Sequence, residues 1–435
     1  MARFKNVLLP YLALVALNLL RIGVAAAQFD TLSDRDSNDF IVEFEGNALA
    51  SADFKDRTAL VHDAPHIAFE QFLTQKIGND HFVRFRFTDP RFLLASSVQL
   101  SNAADEEKLR AFPGVKRVYR ARQYALTATV RRMAQTSDTV DSFKISERAA
   151  LPSVDTFEAH RMTGFDKVYA QGFRGQGQTV AVIDTGVEYK HHALNGGKAD
   201  GVACFGKGCP IKGGFGIFPT YPGDTNVTFS PDVYDTCSGH GTTTAGTIIA
   251  NAPDRNFTGS APEATMLVYK VFSCNAGPYD DHIVAAMLRA FQDGADIICL
   301  SIARPGGWPK DGPPSLLVPK LARAGVITVA GPANVGLTGF FYGAAPGSAQ
   351  DITSVGSVQN NVLSGFTAQV ISSDGKHEFS YMSSTQFKFN QTSKLPVFAI
   401  SKTPNQPRDA CEPLSDSTPD LNGFVVLIAG SSVST

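Results

Sequence analysis

The sequence has 435 residues, of which 43% are hydrophobic and 18% are charged, and no segment of it is of low complexity. A chain of this length is expected to form about two to four domains, each with its own core. The formal net charge is -2, which gives no electrostatic reason to expect binding to nucleic acid or to an anionic membrane surface. The function must therefore be sought in specific sites.

The first 27 residues have the layout of a signal peptide. Two basic residues precede an apolar run from Val7 to Leu20, and Ala25 and Ala27 are the small residues expected just before a cleavage at Gln28. The apolar run has about 14 residues, which is too short for a comfortable membrane span. We predict a secreted, extracellular protein without stable membrane association; an uncleaved signal anchor is the alternative.

Secretion changes how the six cysteines are interpreted, because disulfides persist in oxidising compartments. Cys204, Cys209 and Cys237 lie in a glycine-rich stretch with turn signals, where disulfides are plausible, but the sequence does not choose a pairing. Cys299 lies in an apolar run and is predicted to be a buried free thiol. Three sequons fit an exported glycoprotein: Asn226, Asn256 and Asn390.

Residues 40–125 are predicted to form a compact α+β unit. The predicted elements are strands at 40–44, 82–87, 95–100 and 115–125 and helices at 67–77 and 104–111. Their order, β-α-β-β-α-β, is that of a ferredoxin-like motif. Residues 126–155 are polar and have no clear period, and we predict that they form a linker exposed to proteolysis.

Residues 156–364 are predicted to form an α/β domain. Short strands that are apolar on both faces alternate with helices, which indicates a doubly wound, mostly parallel sheet. The predicted strands are 179–183, 265–271, 296–302, 326–330 and 352–358, and the predicted helices are 241–250, 280–291 and 314–323. From 365 to 435 the pattern changes to strands and proline-containing turns, which predicts the start of an incomplete β-rich domain with one strand at 423–430.

The first motif that can carry chemistry is Ala-Val-Ile-Asp-Thr-Gly at 181–186. An apolar strand delivers Asp184 at its carboxyl end, where open α/β sheets place their sites. Aspartic proteases also use Asp-Thr-Gly, but they need two carboxylates that share a proton. The sequence contains no second Asp-Thr-Gly or Asp-Ser-Gly, so that interpretation would require a homodimer or a missing lobe.

The second motif is Ser-Gly-His-Gly-Thr at 238–242, followed by a predicted helix of small residues. The glycines on both sides of His240 let other backbone segments approach it closely. A purely structural histidine is the alternative. No metal site is predicted, because His191 and His192 lie on a loop without the spacing of a metal-binding helix.

Together the two motifs are far more specific than either alone. Residues 160–360 resemble the subtilase family, because Asp184 and His240 match its aspartate and histidine motifs in the expected order. The resemblance continues in Gly-Ser-Ala-Pro at 259–262, Tyr-Lys-Val at 269–271, Gly-Pro-Ala-Asn-Val-Gly at 331–336 and Pro-Gly-Ser at 346–348. The pattern is most similar to secreted fungal-type subtilases with a protease-associated domain inserted late, and it covers about three quarters of the chain.

The resemblance implies a subtilisin-like fold and a serine endopeptidase precursor that hydrolyses peptide bonds with a Ser-His-Asp triad. His240 would take and return the proton, Asp184 would orient the imidazole, and Asn334 would donate a hydrogen bond to the developing oxyanion. The unit at 40–125 is similar to the inhibitory propeptide of the family, which implies a zymogen with its own propeptide as intramolecular inhibitor. A monomer without a cofactor is expected.

The predicted partners are polypeptide substrates. The resemblance implies that Ser301, Ile302 and Ala303 pair with an extended substrate in the manner of an added β-strand. The alternative for these three residues is a plain core strand.

The sequence departs from the family pattern beside the matching residues. Two threonines at 243–244 stand where the family usually has His-Val. Pro332 and Ala333 replace Ala-Gly before the oxyanion asparagine. Ala303 and Arg304 replace two glycines, and their side chains are expected to crowd a bound peptide. Efficiency and specificity are therefore expected to differ from the family pattern.

The nucleophilic serine of the family lies in Gly-Thr-Ser-Met-Ala, a string that does not occur in the sequence. We therefore expect the chain to end before the segment that carries the serine, and we assign no nucleophile. The rival hypothesis is a catalytically inactive secreted pseudoprotease that binds peptides or protein partners.

Overall fold

The computed structural model describes most of residues 38–124 and 158–358 and shorter stretches after them. The described residues are 38–46, 54–58, 61–124, 158–221, 226–252, 257–306, 308, 310–334, 343–358, 366–372, 375–381, 395–400, 414–415 and 417–428. The predicted signal peptide, the predicted linker and the sequons at Asn256 and Asn390 lie outside them. The chain divides into two compact units, the first up to Val358 and the second from Gln359.

The N-terminal part of the first unit is a four-stranded sheet with helices. Its elements are β1 (Asp39–Phe44), α1 (Ala64–Lys76), β2 (His81–Asp89), β3 (Leu93–Leu100), α2 (Glu106–Arg110) and β4 (Val115–Arg120). The strand order is β2-β3-β1-β4, and every neighbouring pair is antiparallel. The predicted β-α-β-β-α-β order is confirmed, although β4 ends five residues before the predicted strand does.

The side chains of the central strand β1 are all buried, and since successive side chains of a strand point to opposite faces, both faces of the sheet are covered there. Phe40 of β1 packs in one cluster with Phe69 of α1. Ile41 and Phe85 belong to a second cluster, which they share with Phe291 and other side chains of the following part of the chain. The N-terminal part is therefore packed against the rest of the first unit.

The second part of the first unit contains a seven-stranded sheet. Its helices are α3 (Glu158–Thr163), α4 (Phe165–Ala170), α5 (His240–Ile249), α6 (Asp280–Gln292) and α7 (Pro313–Arg323). Its strands are β5 (Thr179–Asp184), β6 (Ile211–Pro219), β7 (Val227–Ser230), β8 (Asn251–Ala252), β9 (Phe257–Thr258), β10 (Thr265–Lys270), β11 (Ile297–Leu300), β12 (Arg304–Pro305), β13 (Ile327–Ala330), β14 (Ala344–Ala345) and β15 (Thr353–Ser354). The order of the large sheet is β15-β13-β11-β5-β10-β6-β7, parallel except for the last pair.

Apolar side chains of β5, the central strand of the seven-stranded sheet, point alternately to two layers of helices. Val182 belongs to the same cluster as Ile249 of α5. Its neighbour Ile183 belongs to the cluster that contains Met287 of α6 and Leu321 of α7. The predicted α/β fold class, with a large and mostly parallel sheet covered on both faces, is confirmed.

Two details of the sheet differ from the sequence prediction. Strands β6 and β7 were not predicted, because the glycines of β6 indicate turns. Gly214 has a φ of +148°, and any Cβ there would collide with the backbone of Val268, so glycine lets β6 approach β10 closely. The strand predicted at 352–358 is only β15, whose two residues are exposed because β15 is an edge strand paired on one side.

The second unit contains two small sheets in its described residues. Strands β16 (Phe366–Ser372) and β17 (Gly375–Tyr381) form an antiparallel hairpin. Strands β18 (Val397–Ala399) and β19 (Val425–Leu427) pair in parallel. The strand predicted at 423–430 is thus present but shorter.

Candidate active site

Asp184 and His240, both predicted from the sequence, are in direct contact. Asp184 ends β5, and its side chain is completely buried. His240 begins α5, and 30% of its side chain is exposed. Nδ1 of His240 lies 2.7 Å from Oδ1 of Asp184. The carboxylate therefore selects the imidazole tautomer in which Nδ1 donates and Nε2 accepts.

Two threonines hold the Asp184 carboxylate in place. The backbone N–H of Thr185 donates to Oδ1 at 2.7 Å, and the hydroxyl of Thr244 donates to Oδ2 at 3.2 Å. Thr244 is one of the residues that departs from the family pattern. The departure supplies a hydrogen bond that the usual valine could not make.

Glycine at position 241 allows α5 to lie directly on the aspartate loop. Any Cβ on Gly241 would collide with the carbonyl oxygen of Gly186 and would touch the Asp184 side chain. Gly186 itself has a φ of +101°, in the left-handed region that favours glycine. The two glycines thus let Asp184 and His240 approach within hydrogen-bonding distance.

Asp235, which was not singled out from the sequence, orders the turn before His240. Its carboxylate accepts the backbone N–H groups of Cys237, Ser238 and Gly239 at 2.7–3.1 Å. It also accepts the hydroxyl of Thr185 at 2.7 Å, and that hydroxyl oxygen accepts the backbone N–H of residue 241. The available signal was an aspartate a few residues before a Ser-Gly pair, which is typical of side-chain-closed turns.

Lys270 supports the same region from the end of β10. Its Nζ donates to the carbonyl oxygens of Thr185 and Tyr234 at 2.9 and 3.1 Å. Burial lowers the pKa of Lys270, and the nearby charge of Asp235 opposes this effect. Lys270 lies in the Tyr-Lys-Val stretch, but a role in holding the aspartate loop could not be assigned from that pattern.

The electrostatic surroundings favour a protonated His240. The hydrogen bond that His240 donates to Asp184 raises the pKa of His240 above its usual value of 6.5, and burial opposes this without cancelling it. Burial alone would raise the pKa of Asp235, but the hydrogen bonds from Ser238 and Thr185 outweigh burial and lower it. The pair is therefore suited to accept a proton on Nε2 and to stabilise the resulting imidazolium.

Asn334 lies at the same edge of the sheet, four residues after β13 ends. It is exposed and makes no hydrogen bond within the described part of the chain. Ala333, which precedes it, has a φ of +67°. This left-handed conformation explains why glycine is the usual residue at position 333 in the resembled pattern. The structure therefore places Asn334 near the carboxyl ends of the strands without joining it to Asp184 or His240.

Residues 175–435 match the sequence profile of the subtilase family. This chain belongs to the subtilase family. Over 220 residues it is 32% identical to the minor extracellular protease Vpr of Bacillus subtilis, covering 49% of this chain and 24% of Vpr. Over 197 residues it is 29% identical to subtilisin DY of Bacillus licheniformis, covering 45% of this chain and 62% of that protein. The chain thus spans less than two thirds of either relative.

Two solved structures are similar at low sequence identity. Fervidolysin from Fervidobacterium pennivorans, a keratinolytic enzyme related to subtilisin, aligns over 81% of this chain and 46% of its own, with 17% identity and a TM-score of 0.48. The epidermin leader peptide processing serine protease of Staphylococcus aureus aligns over 74% of this chain and 70% of its own, with 16% identity and a TM-score of 0.45.

The expected substrate strand of this subtilase follows β11, next to the strand that ends at Asp184. Ser301 is exposed, Ile302 is buried and Ala303 is half-buried, and no strand pairs with them in the described residues. The expectation that Arg304 crowds this edge is wrong. Its guanidinium is turned inward, with Nε 3.1 Å from Oδ1 of Asp280 and Nη1 3.0 Å from Oδ2 of Asp311.

The chain that leaves β4 lies along the start of α6. We call Ala121–Tyr124 the tail segment and Gly277–Asp280 the edge segment. The backbone N–H of Tyr124 donates to the carbonyl oxygen of Pro278 at 2.8 Å, and Asp280 N–H donates to the carbonyl oxygen of Arg122 at 3.1 Å. Gln123 and Tyr279 form an antiparallel bridge. The tail segment is therefore bound as an added antiparallel strand.

Two disulfides lie in this region. Cys204 pairs with Cys209, and Cys237 pairs with Cys274, so the second bond ties the turn before His240 to the loop that leads into the edge segment. Cys299 is a free thiol, as predicted, although it is only half-buried. Burial, followed by the charge of Asp184, raises the pKa of Cys299 to about 11, which disfavours the thiolate form at neutral pH.

Proposed function

We propose that this protein is a secreted serine endopeptidase precursor of the subtilase family. The observation that carries the proposal is the 2.7 Å contact between His240 and the fully buried Asp184 at the carboxyl edge of the sheet. A buried carboxylate that orients an imidazole with one exposed nitrogen is the acid–base half of a Ser-His-Asp triad.

In this proposal each residue has a defined role in peptide-bond hydrolysis. Nε2 of His240 removes the proton of the serine nucleophile and later gives it to the leaving amine, while Asp184 stabilises the imidazolium. The side-chain amide of Asn334 donates to the oxyanion of the tetrahedral intermediate. The extended substrate binds along Ser301–Ala303, and this role is supported by their position after β11, where no strand pairs with them among the described residues. No step requires a cofactor.

The N-terminal part of the first unit is proposed to be an intramolecular inhibitor. It supplies the tail segment, whose antiparallel bonds to the edge segment imitate a bound peptide. The same part shares an apolar cluster with side chains of α6 and α7, to which it contributes Phe85 and Phe92. A covered cleft of this kind would keep the precursor inactive until residues 126–155 are cut.

The proposed location is extracellular. The support is the signal-peptide layout of the first 27 residues and the relative Vpr, which is named as an extracellular protease. No helix in the described part of the chain is long and apolar enough to cross a membrane.

A second candidate is a peptide-binding pseudoprotease, which would retain the cleft without hydrolysis. The two candidates differ in whether a serine of the protein reacts with a fluorophosphonate.

The experiment captures the protein from its native source with an antibody and treats it with a fluorophosphonate probe and with labelled casein. The endopeptidase proposal predicts one labelled serine, which His240→Ala abolishes, since loss of the triad histidine lowers turnover by about a millionfold. Binding of peptides without any labelling would establish the second candidate instead. The 435-residue sequence expressed alone is expected to remain unlabelled.

A further inference from the structure

Tyr124 is the buried aromatic residue of the tail segment. Only 1% of it is exposed, and its backbone N–H donates to the edge segment at Pro278. Its hydroxyl donates to Oδ1 of Asp280 at 3.1 Å, and the guanidinium of Arg304 lies 5.9 Å from its ring centre. The ring shares an apolar cluster with Phe272 and Ile302. The second part of the unit thus provides an apolar pocket for a phenol ring, with a carboxylate at its polar end.

The polar end of this pocket is incomplete without its occupant. A buried carboxylate needs hydrogen bonds on both oxygens. Oδ1 of Asp280 accepts from Tyr124 and from Nε of Arg304, and Oδ2 accepts the backbone N–H of Arg122 at 3.1 Å. Two of these three bonds come from the tail segment. Burial raises the pKa of Asp280, and the charge of Arg304 opposes that effect.

A second side chain of the tail segment is bound two residues earlier. Nη1 of Arg122 donates to Oδ1 of Asp311 at 3.1 Å. In an extended strand, residues two apart point to the same face. The carboxylates of Asp280 and Asp311 therefore bind alternate side chains of one extended peptide, a tyrosine and a cation.

The backbone of the edge segment is shaped for close approach. Any Cβ on Gly277 would collide with the carbonyl oxygen of Tyr124. The side-chain amide of Gln123 donates to the carbonyl oxygen of Gly277 at 3.1 Å. Backbone pairing of this type gives affinity to any extended chain, whereas the pockets for alternate side chains give the selectivity.

We propose that this pocket is a substrate subsite that selects an extended polypeptide with the pattern Arg-x-Tyr upstream of the bond that is cut. The inference rests on the proposed function, in which the tail segment occupies the substrate cleft. Phenylalanine would fill the same space but leave Asp280 without its hydroxyl donor. Because a buried carboxylate that loses one hydrogen-bond donor is destabilised, a peptide with phenylalanine should bind at least about tenfold more weakly than one with tyrosine.

The first test uses the full chain with Tyr124→Ala, which opens the pocket. We expect 4-methylphenol to bind this variant at least about tenfold more tightly than toluene, measured by calorimetry. The matched control is Tyr119→Ala, since Tyr119 donates to Glu43 elsewhere in the same part of the chain. The control should bind neither compound. Equal binding of the two compounds to the Tyr124 variant would overturn the proposal.

Should Tyr124→Ala fail to fold, Tyr124→Phe provides the same test without a cavity. Loss of the hydroxyl is expected to speed hydrogen exchange of the amides of Arg122 and Tyr124 by about tenfold or more. Tyr119→Phe should leave those amides unchanged. Unchanged exchange in Tyr124→Phe would contradict a role for the hydroxyl.

The second test measures peptide selectivity in the full chain with Arg122→Ala and Tyr124→Ala combined. A fluorescent peptide with the sequence of residues 120–128 should bind, and its versions with phenylalanine for tyrosine or alanine for the second arginine should bind at least about tenfold more weakly. Equal affinity of the three peptides would reject the pattern. Because binding needs no nucleophile, this test does not depend on hydrolysis. Unselective binding would contradict the subsite alone, whereas failure of the protein from its native source to react with the fluorophosphonate would contradict the protease proposal alone.

Discussion

Arg84 joins the two parts of the first unit through an ion pair from which water is excluded. The side chains of Arg84 and Asp281 are both 0% exposed, with Nη2 2.7 Å from Oδ2. Nη1 also lies 2.8 Å from Oδ1 of Asp39. The change Arg84→Met keeps an extended side chain but leaves two buried carboxylates without their cation. Since breaking a buried pair costs about 3–5 kcal/mol, the free energy of unfolding of the full chain should fall by about that amount.

Arg86, two residues along β2, provides the matched control. It pairs with Glu70 at 2.6 Å, but the two side chains are 45% and 27% exposed. Because solvent screens such a pair, Arg86→Met should lower the free energy of unfolding by less than about 1 kcal/mol. Both variants are measured by urea denaturation at pH 7, followed by circular dichroism, and by hydrogen exchange of the α6 amides, which only Arg84→Met should accelerate.

The double variant Arg84→Met/Asp281→Asn isolates the pair. It should lose less free energy of unfolding than the sum of its two single variants, because it removes one of the charges that the first change leaves unpaired. Equal effects of Arg84→Met and Arg86→Met, or simple additivity in the double variant, would show that this ion pair does not hold the N-terminal part in place.

Three further predictions concern protonation and turnover. Asp184→Asn should lower the pKa of His240, because the hydrogen bond with Asp184 holds that pKa above 6.5. The raised pKa stabilises the fold below pH 6.5, and this contribution is lost as the pH rises through the folded value; an NMR titration in which the variant's midpoint does not fall would contradict the contact. Burial of Asp281 tends to raise its pKa, but the charge of Arg84 outweighs burial and holds this pKa below 3.8. The ionised Asp281 therefore stabilises the fold above pH 3.8, and this contribution is lost as the pH falls through the folded pKa. Asp281→Asn should make the stability less dependent on pH in acid unfolding, and an unaltered acid unfolding curve would argue against this linkage. In a chain joined to a serine-bearing subtilase segment, Asn334→Ala should lower kcat about 100-fold with little change in KM; an unchanged kcat would remove Asn334 from the site.

The contact between Asp184 and His240 could be predicted because its signals are local. An apolar run that ends in an acid marks the carboxyl end of a buried strand, and glycines around a histidine mark a close approach. The β-α-β-β-α-β order was equally accessible, because the alternation along β1 and β2 lies within each segment.

Other contacts of the candidate site and of the N-terminal part join residues that are distant in the sequence. Arg84 and Asp281 are 197 positions apart, and Tyr124 and Asp280 are 156 positions apart. No local pattern reveals such partners. Arg304 was expected to obstruct the substrate edge because the sequence does not show that buried carboxylates draw its side chain inward. Asp235 was overlooked for a related reason, since its partners are mainly backbone N–H groups.

The bond between Cys237 and Cys274 closes a ring of chain across 37 positions, which contains α5 and β10. Closing a loop of this size is expected to add about 4 kcal/mol to the free energy of unfolding, because it restricts the unfolded chain. Such a bond does not persist in a reducing compartment. The turn before His240 and the loop that leads into the edge segment are therefore covalently joined only under oxidising conditions. Protein kept reduced should therefore hold its tail segment more loosely than the same protein after oxidation of this disulfide.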